Sequence, residues 1–198
     1  PGCRVTGITL SQVQVAKAKE NAAKHSVSDQ TDFRVVNFTA TPFDDQSFDV
    51  VWCIESVCHA NDKAAFLREA FRILKKGGTL IVADFFRTEK DPALDTHHWM
   101  DRWAKTWAIP AFEKLSGFES KAIQSGFSTV DNMDITKPIF PTAKRLYYCL
   151  IPGIICDRFL RLFGMRTNWN MGNVWSTLYQ YRSLVEGFWD YRIVKAVK

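Results

Sequence analysis

Hydrophobic and polar positions along this chain switch between a period of two and a period near 3.6. Arg4-Val5-Thr6-Gly7-Ile8-Thr9 reads as a short buried strand. Ser11 then offers a side-chain oxygen to open a helix, and Val13 to Ala23 is rich in Ala, Lys, Gln and Glu, all strong helix formers. Phe33-Arg34-Val35-Val36-Asn37 predicts the next strand. Pro42-Phe43-Asp44-Asp45-Gln46-Ser47 is turn chemistry and delivers the chain into a buried strand, Phe48 to Cys53. Asp62 caps a helix whose apolar residues Ala65, Phe66, Ala70, Phe71 and Leu74 fall at helical spacing, with Gly77-Gly78 expected to stop it. Thr79 to Ala83 is a continuous apolar run, as in a strand covered on both faces.

Strand, helix, strand, loop, strand, helix, strand is the α/β alternation of a doubly wound parallel sheet. After Asp84 the texture changes. His97 to Trp107 predicts a Trp-rich helix, Phe112 to Ser125 another closed by Gly126, and Phe127 to Thr136 a strand. Pro138 to Arg166 is an apolar and basic insertion, Val174 to Gly187 reads as helix, and Tyr191 to Val197 as a final strand. With no internal repeat or low-complexity linker, residues 1–198 are expected to form one domain, with a lid over about 138–173.

At 198 residues, 46% hydrophobic and 24% charged, the chain has the composition of a globular protein with a full core. Its five cysteines (Cys3, Cys53, Cys58, Cys149, Cys156) are odd in number and lack metal spacing; Cys53 and Cys58 fall in or just after a predicted buried strand, so reduced core thiols are expected there, and with them a cytoplasmic, reducing compartment. Net charge is +5, unevenly placed: from Lys137 to Lys198 ten Lys/Arg stand against three Asp/Glu. That half is also aromatic. It suits an anionic surface or substrate, or is simply a solvated basic face. Pro1-Gly2-Cys3-Arg4 leads straight into a strand, so no signal peptide is expected. The apolar run Leu146 to Cys156 is broken by Pro152-Gly153 and falls short of the ~20 residues a spanning helix needs.

Several motifs in their order carry a resemblance: Gly7-Ile8-Thr9-Leu10-Ser11 with Gln14, Pro42-Phe43 before Ser47-Phe48-Asp49, Glu55-Ser56 with His59, and Arg72-Ile73-Leu74-Lys75-Lys76-Gly77-Gly78. Together they resemble the class I S-adenosylmethionine-dependent methyltransferases, and within them the small-molecule type related to tocopherol, sterol and natural-product enzymes. The resemblance covers Pro1 to about Phe86. It implies a Rossmann-like sheet, with what look like strands two to seven present and the last antiparallel between the fifth and sixth. The family's Gly-rich cofactor loop after its first strand has no counterpart here, which reads as N-terminal truncation. Two raw strand edges in mid-sheet are then expected, with weak cofactor binding and poor stability for this chain alone.

The resemblance implies S-adenosylmethionine as cofactor, met at the carboxyl ends of the strands. Thr9, with Leu10 beside it, stands where an acid often meets the ribose, and Gln14 supplements it. Asn37 stands where an acid commonly meets the adenine amino group, followed by Phe38; the backbone at Cys53 and Ile54 would meet the methionine end. Thr9 and Asn37 are also ordinary turn residues. For chemistry, His59 is the first choice as base because histidine titrates near neutrality, and Asp84, ending the next strand, is expected to converge with it on one substrate atom. Glu55 is a third candidate. Each has a structural alternative: a capping or packing His59, a loop-capping Asp84, and for Glu55 a structural role as the stronger reading.

His97-His98 point in different directions on a helix and no acid or cysteine joins them, so no metal is expected. Trp99, Trp103 and Trp107 recur every four residues, a stripe that more often means core than pocket. Tyr147, Tyr148, Ile151, Ile154, Phe159, Leu162 and Phe163, mixed with Lys144, Arg145, Arg158, Arg161 and Arg166, form a basic amphipathic segment. A wall for an apolar substrate, a peripheral membrane contact and a homodimer face compete for it, the first favoured.

The reading is therefore methyl transfer to oxygen or carbon of a hydrophobic small molecule. Its rivals are a nicotinamide-dependent reductase, which would want a Tyr-x-x-x-Lys pair, and a non-catalytic lipid- or partner-binding module. Nucleic acid is not expected as a partner, since no Asn/Asp-Pro-Pro-Tyr/Phe follows the Phe48 strand.

Overall fold

The computed structural model describes residues 2–165 and 168–198, the side chains of 168–171 aside. Arg166, counted above in the basic segment, lies outside the described residues. Six strands and seven α-helices follow in the order β1 (Val5–Thr9), α1 (Gln12–Lys24), β2 (Thr31–Val35), β3 (Phe48–Ile54), α2 (Lys63–Ile73), β4 (Leu74–Arg87), α3 (Trp99–Thr106), α4 (Leu115–Gln124), β5 (Thr129–Asp134), α5 (Thr136–Tyr148), α6 (Leu150–Leu162), α7 (Asn168–Val185) and β6 (Trp189–Val197). Both predicted N-caps are in place: Ser11 accepts from the Gln14 N–H and Asp62 from the Ala65 N–H.

The strands form two sheets. β1 and β2 pair parallel; β3, β4, β6 and β5 lie side by side in that order, with β6 antiparallel to both its neighbours. The expected reversal of the last strand between the fifth and sixth is therefore present. Among the described residues β1 is paired only to β2, and β3 only to β4, so each of the two strands expected to have a raw edge has one. On β3 the alternate residues Val50, Trp52 and Ile54 are exposed, while Val51 and Cys53 pack into the core.

One core lies between the four-stranded sheet and helices α2 and α4. Leu67, Leu80, Val82, Phe118, Ala122 and Val194 are all at most 1% exposed there. The other lies under α3, α5 and α7 and is largely aromatic: Phe85 packs edge-on to Trp103, Trp189 and Tyr191 at centroid distances of 5.0–5.3 Å.

The Gly77-Gly78 stop is corrected. Helix α2 ends at Ile73, and both glycines lie inside β4. The helix stops early because its last carbonyls are taken from outside: Gln46 N–H donates to Arg72 O, Ser47 N–H to Ile73 O, and Lys198 Nζ to Phe71 O at 2.6 Å. The glycines serve a bulge instead. Gly77 has φ +74°, and a side chain on Gly78 would meet Lys75 O at 2.8 Å. The stretch expected as a lid is occupied by α5, α6 and the start of α7.

Candidate active site

The carboxyl end of β3 lies beside Ala83 of β4, and β4 continues to Arg87, so Asp84, expected to end its strand, lies within it; the groups singled out as chemical stand on or just after these two strands. Glu55 leaves β3 with φ +49°, a left-handed conformation that costs a non-glycine residue about 1 kcal/mol or more. It is pinned there: its N–H donates to Ala83 O at 2.8 Å, and a carboxylate oxygen accepts from the Tyr191 hydroxyl at 3.1 Å. Tyr191 comes from β6, across β4. Burial first, and Glu55 second, push its phenol well above the ordinary tyrosine value, so it stays protonated and donating.

A 3-10 turn, Val57–His59, follows, with Val57 and Cys58 buried and His59 exposed. Asp84 holds this turn. One of its carboxylate oxygens accepts from the Cys58 N–H at 2.9 Å and the other from the Phe85 N–H at 2.8 Å. The side chain is 2% exposed, and burial raises its carboxyl above the usual range against the pull of those donors. Burial also raises the Cys58 thiol, and the Cys53 thiol to about 11, so both are inert thiols rather than nucleophiles. Lys63 closes the far side. Its buried ammonium donates to Ala60 O at 3.0 Å and Ala111 O at 3.2 Å, and desolvation lowers it.

The expected convergence of Asp84 and His59 takes a different form. Both carboxylate oxygens of Asp84 face backbone N–H groups, so the acid is a buttress for the turn that presents His59 outward. Glu55, for which a structural role was the stronger expectation, is an exposed residue whose carboxylate accepts from the Tyr191 hydroxyl. Tyr191 was missed. Its partner lies 136 residues away, and only the register of β6 on β4 brings the two together.

The expected cofactor residues fall in two groups. The Thr9 hydroxyl donates to Gln14 Oε1 at 2.5 Å, which brings the two side chains expected to meet the ribose together at the end of β1, with Leu10 beside them 71% exposed. Asn37 Oδ1 accepts from the Thr39 N–H and hydroxyl at 3.0 and 2.9 Å, and the Phe38 ring packs edge-on to Phe66 at 5.4 Å. Those two shape the loop after β2. Cys53 and Ile54 lie on the strand whose outer edge has no strand partner among the described residues. The neutral Thr9 hydroxyl at the end of β1, the Gln14 amide in the first turn of α1, the unpaired backbone edge of β3 and the Glu55 carboxylate make a set of polar groups that fits a nucleoside bearing a cationic sulfur.

Residues 1–82 match the model of a methyltransferase domain family. The chain belongs to the class I S-adenosylmethionine-dependent methyltransferases. The cofactor of these methyltransferases is S-adenosylmethionine. The chain is 36% identical over 146 residues to the 2-methyl-6-phytyl-1,4-hydroquinone methyltransferase of Synechocystis, covering 71% of this chain and 45% of that one. It is 39% identical over 89 residues to a sterol 24-C-methyltransferase of Saccharomyces cerevisiae, covering 45% of this chain and 23% of that one. It thus spans less than half the length of either. Among solved structures, the geranyl diphosphate C-methyltransferase of Streptomyces coelicolor, in complex with Mg2+, geranyl diphosphate and S-adenosyl-L-homocysteine, superposes with a TM-score of 0.72 at 20% identity, covering 99% of this chain and 63% of that one.

Trp103, on the stripe of α3, is fully buried between Phe85, Phe112 and Trp189, which makes it core. Among the described residues no group of three or more His, Cys, Asp or Glu stands together to hold a metal ion. No helix there is long and apolar enough to cross a membrane.

Proposed function

We propose that this methyltransferase moves a methyl group from S-adenosylmethionine to an oxygen or carbon of an apolar small molecule of isoprenoid, sterol or aromatic type. The observation that carries the reading is the Glu55–Tyr191 pair beside the outward-facing His59, all at the carboxyl end of the sheet. The similarity to a prenylated-hydroquinone enzyme and a sterol enzyme supports the acceptor class.

When bound, the cofactor supplies an electrophilic methyl group on a positively charged sulfur. Thr9 and Gln14 would hold its ribose, and the outer edge of β3 at Cys53 and Ile54 its methionine end. His59 takes the proton shed by the acceptor's hydroxyl or activated carbon as that atom bonds to the methyl group. Tyr191 fixes the carboxylate of Glu55, and Asp84 fixes the turn that carries His59. β1 and β3 each have an edge without a strand partner among the described residues, and in the working enzyme a further strand would pair with these edges and complete the cofactor site.

The test uses the protein extended to the length of its relatives, tritiated S-adenosylmethionine, and a panel of prenylated hydroquinones, tocopherols and sterols. Label is expected in the organic extract with at least one acceptor. Tyr191→Phe should lower kcat about tenfold with the cofactor KM unchanged, as expected for one lost hydrogen bond to a charged group. No labelled product from any acceptor would overturn the reading.

A further inference from the structure

Helix α6 is built the wrong way round for a helix that only packs against its own domain. Ile151, Ile155, Phe159 and Leu162 recur at i, i+4, i+8 and i+11, the stripe an amphipathic helix normally buries. Here they are 69%, 65%, 58% and 82% exposed. The face turned inward carries Gly153, where a side chain would come within 3.3 Å of Val174, and Asp157, 1% exposed and paired to Arg161 at 2.6 Å. Close approach at Gly153 to Val174 and the burial of Asp157 mark the inward face of the helix, and with that face turned inward the apolar stripe points outward.

The stripe does not stand alone. Phe159 packs on Phe163 at 5.1 Å, and Phe163 and Met165 continue the exposed apolar surface past the helix end. So the favoured expectation for this segment, a wall around the substrate, does not hold for its most apolar side chains. The charge around them has one sign. Between Thr136 and Met165 there are five Lys/Arg and a single acid, Asp157, which is the one buried against Arg161.

We infer that α6 with the end of α5 is a docking surface for an anionic lipid bilayer. The apolar stripe enters the acyl boundary while Lys144, Arg145 and Arg158 meet lipid phosphates. At 13 residues α6 is too short to span a bilayer and lies in its plane. A second copy of the chain is the poorer occupant, because a twofold contact would set these cations against each other while the one acid between Thr136 and Met165, Asp157, is buried. The inference is independent of the methyl-transfer reading.

The test is vesicle flotation of the full chain at low salt with phosphatidylcholine vesicles, with and without 30% phosphatidylglycerol, alongside size-exclusion chromatography with light scattering. Binding to the anionic vesicles is expected, at least fivefold stronger than to neutral ones and weakened by 0.5 M NaCl. Phe159→Asp should abolish it, and Arg158→Glu should reduce the anionic preference severalfold; both sites are solvent-exposed, and circular dichroism checks each fold. No binding, or binding that both variants retain in full, overturns the inference. So does a dimer that Phe159→Asp dissociates in a protein that ignores vesicles.

Discussion

In the β1–α1–β2 unit every residue of β1 is only half-buried, and α1 hides just Ala22. In β4, by contrast, Leu74, Leu80, Val82, Asp84, Phe85 and Phe86 are all buried, with layers of side chains on both faces. The first unit is tied to the second through few groups: the Phe38–Phe66 contact, and the cluster in which Glu69 accepts from the Thr41 N–H and hydroxyl and from Arg72, itself paired to Asp45. A thinly buried unit opens at low free-energy cost, whereas a packed one opens only with the whole domain. In the proposed site the first unit presents the groups that hold the ribose of the cofactor, and the second holds its methionine end and the groups that do chemistry. Substitutions in the two should therefore be felt in different quantities.

The largest effect is expected at the sheet edge. His59→Ala should lower turnover by ~10²–10⁴ while leaving affinity for S-adenosylhomocysteine within about twofold. Equal loss of both would make His59 a packing residue. Next comes the core beneath it: Trp103→Ala should destabilise the fold by about 3–5 kcal/mol, read by urea denaturation. A change confined to an acceptor's KM would return that tryptophan to the pocket.

The tie between the units is pH-dependent. Hydrogen bonds from Arg72 hold the Glu69 carboxyl down to about 2, helped by Thr41. A carboxyl depressed on folding stabilises fully above its ordinary value near ~4.3, and that stability is lost as pH falls toward the folded value. Acid should thus loosen the first unit between about pH 4 and pH 2. Glu69→Gln should lower stability at neutral pH by about 1–3 kcal/mol and flatten that acid limb. A variant with an unchanged acid limb would place the tie elsewhere. The smallest effect belongs to the first unit itself: Thr9→Ala should weaken S-adenosylhomocysteine binding about two- to tenfold with kcat unchanged.

The same contrast governs what could be read from the sequence. Local signals served well: Ser11 and Asp62 capped the helices they were expected to cap, and the apolar runs at Phe48 and Thr79 became neighbouring parallel strands. Where long-range partners decide, sequence was silent or misleading. The end of α2 was set by Gln46, Ser47 and Lys198 rather than by Gly77-Gly78. Tyr191 reached Glu55 only through strand register, and nothing local foretells that the N–H groups of Cys58 and Phe85 would donate to the two oxygens of Asp84. The outward turn of α6 goes with the approach of Gly153 to Val174, a contact that periodicity does not encode.

The most direct test of the account is calorimetric titration of S-adenosylhomocysteine into this chain and into the protein extended to the length of its relatives. A clear binding isotherm is expected for the extended protein, and weak or no binding for the chain with β1 and β3 unbridged. No binding to either would contradict the methyltransferase site built here, and equal binding to both would contradict the claim that a further strand completes it.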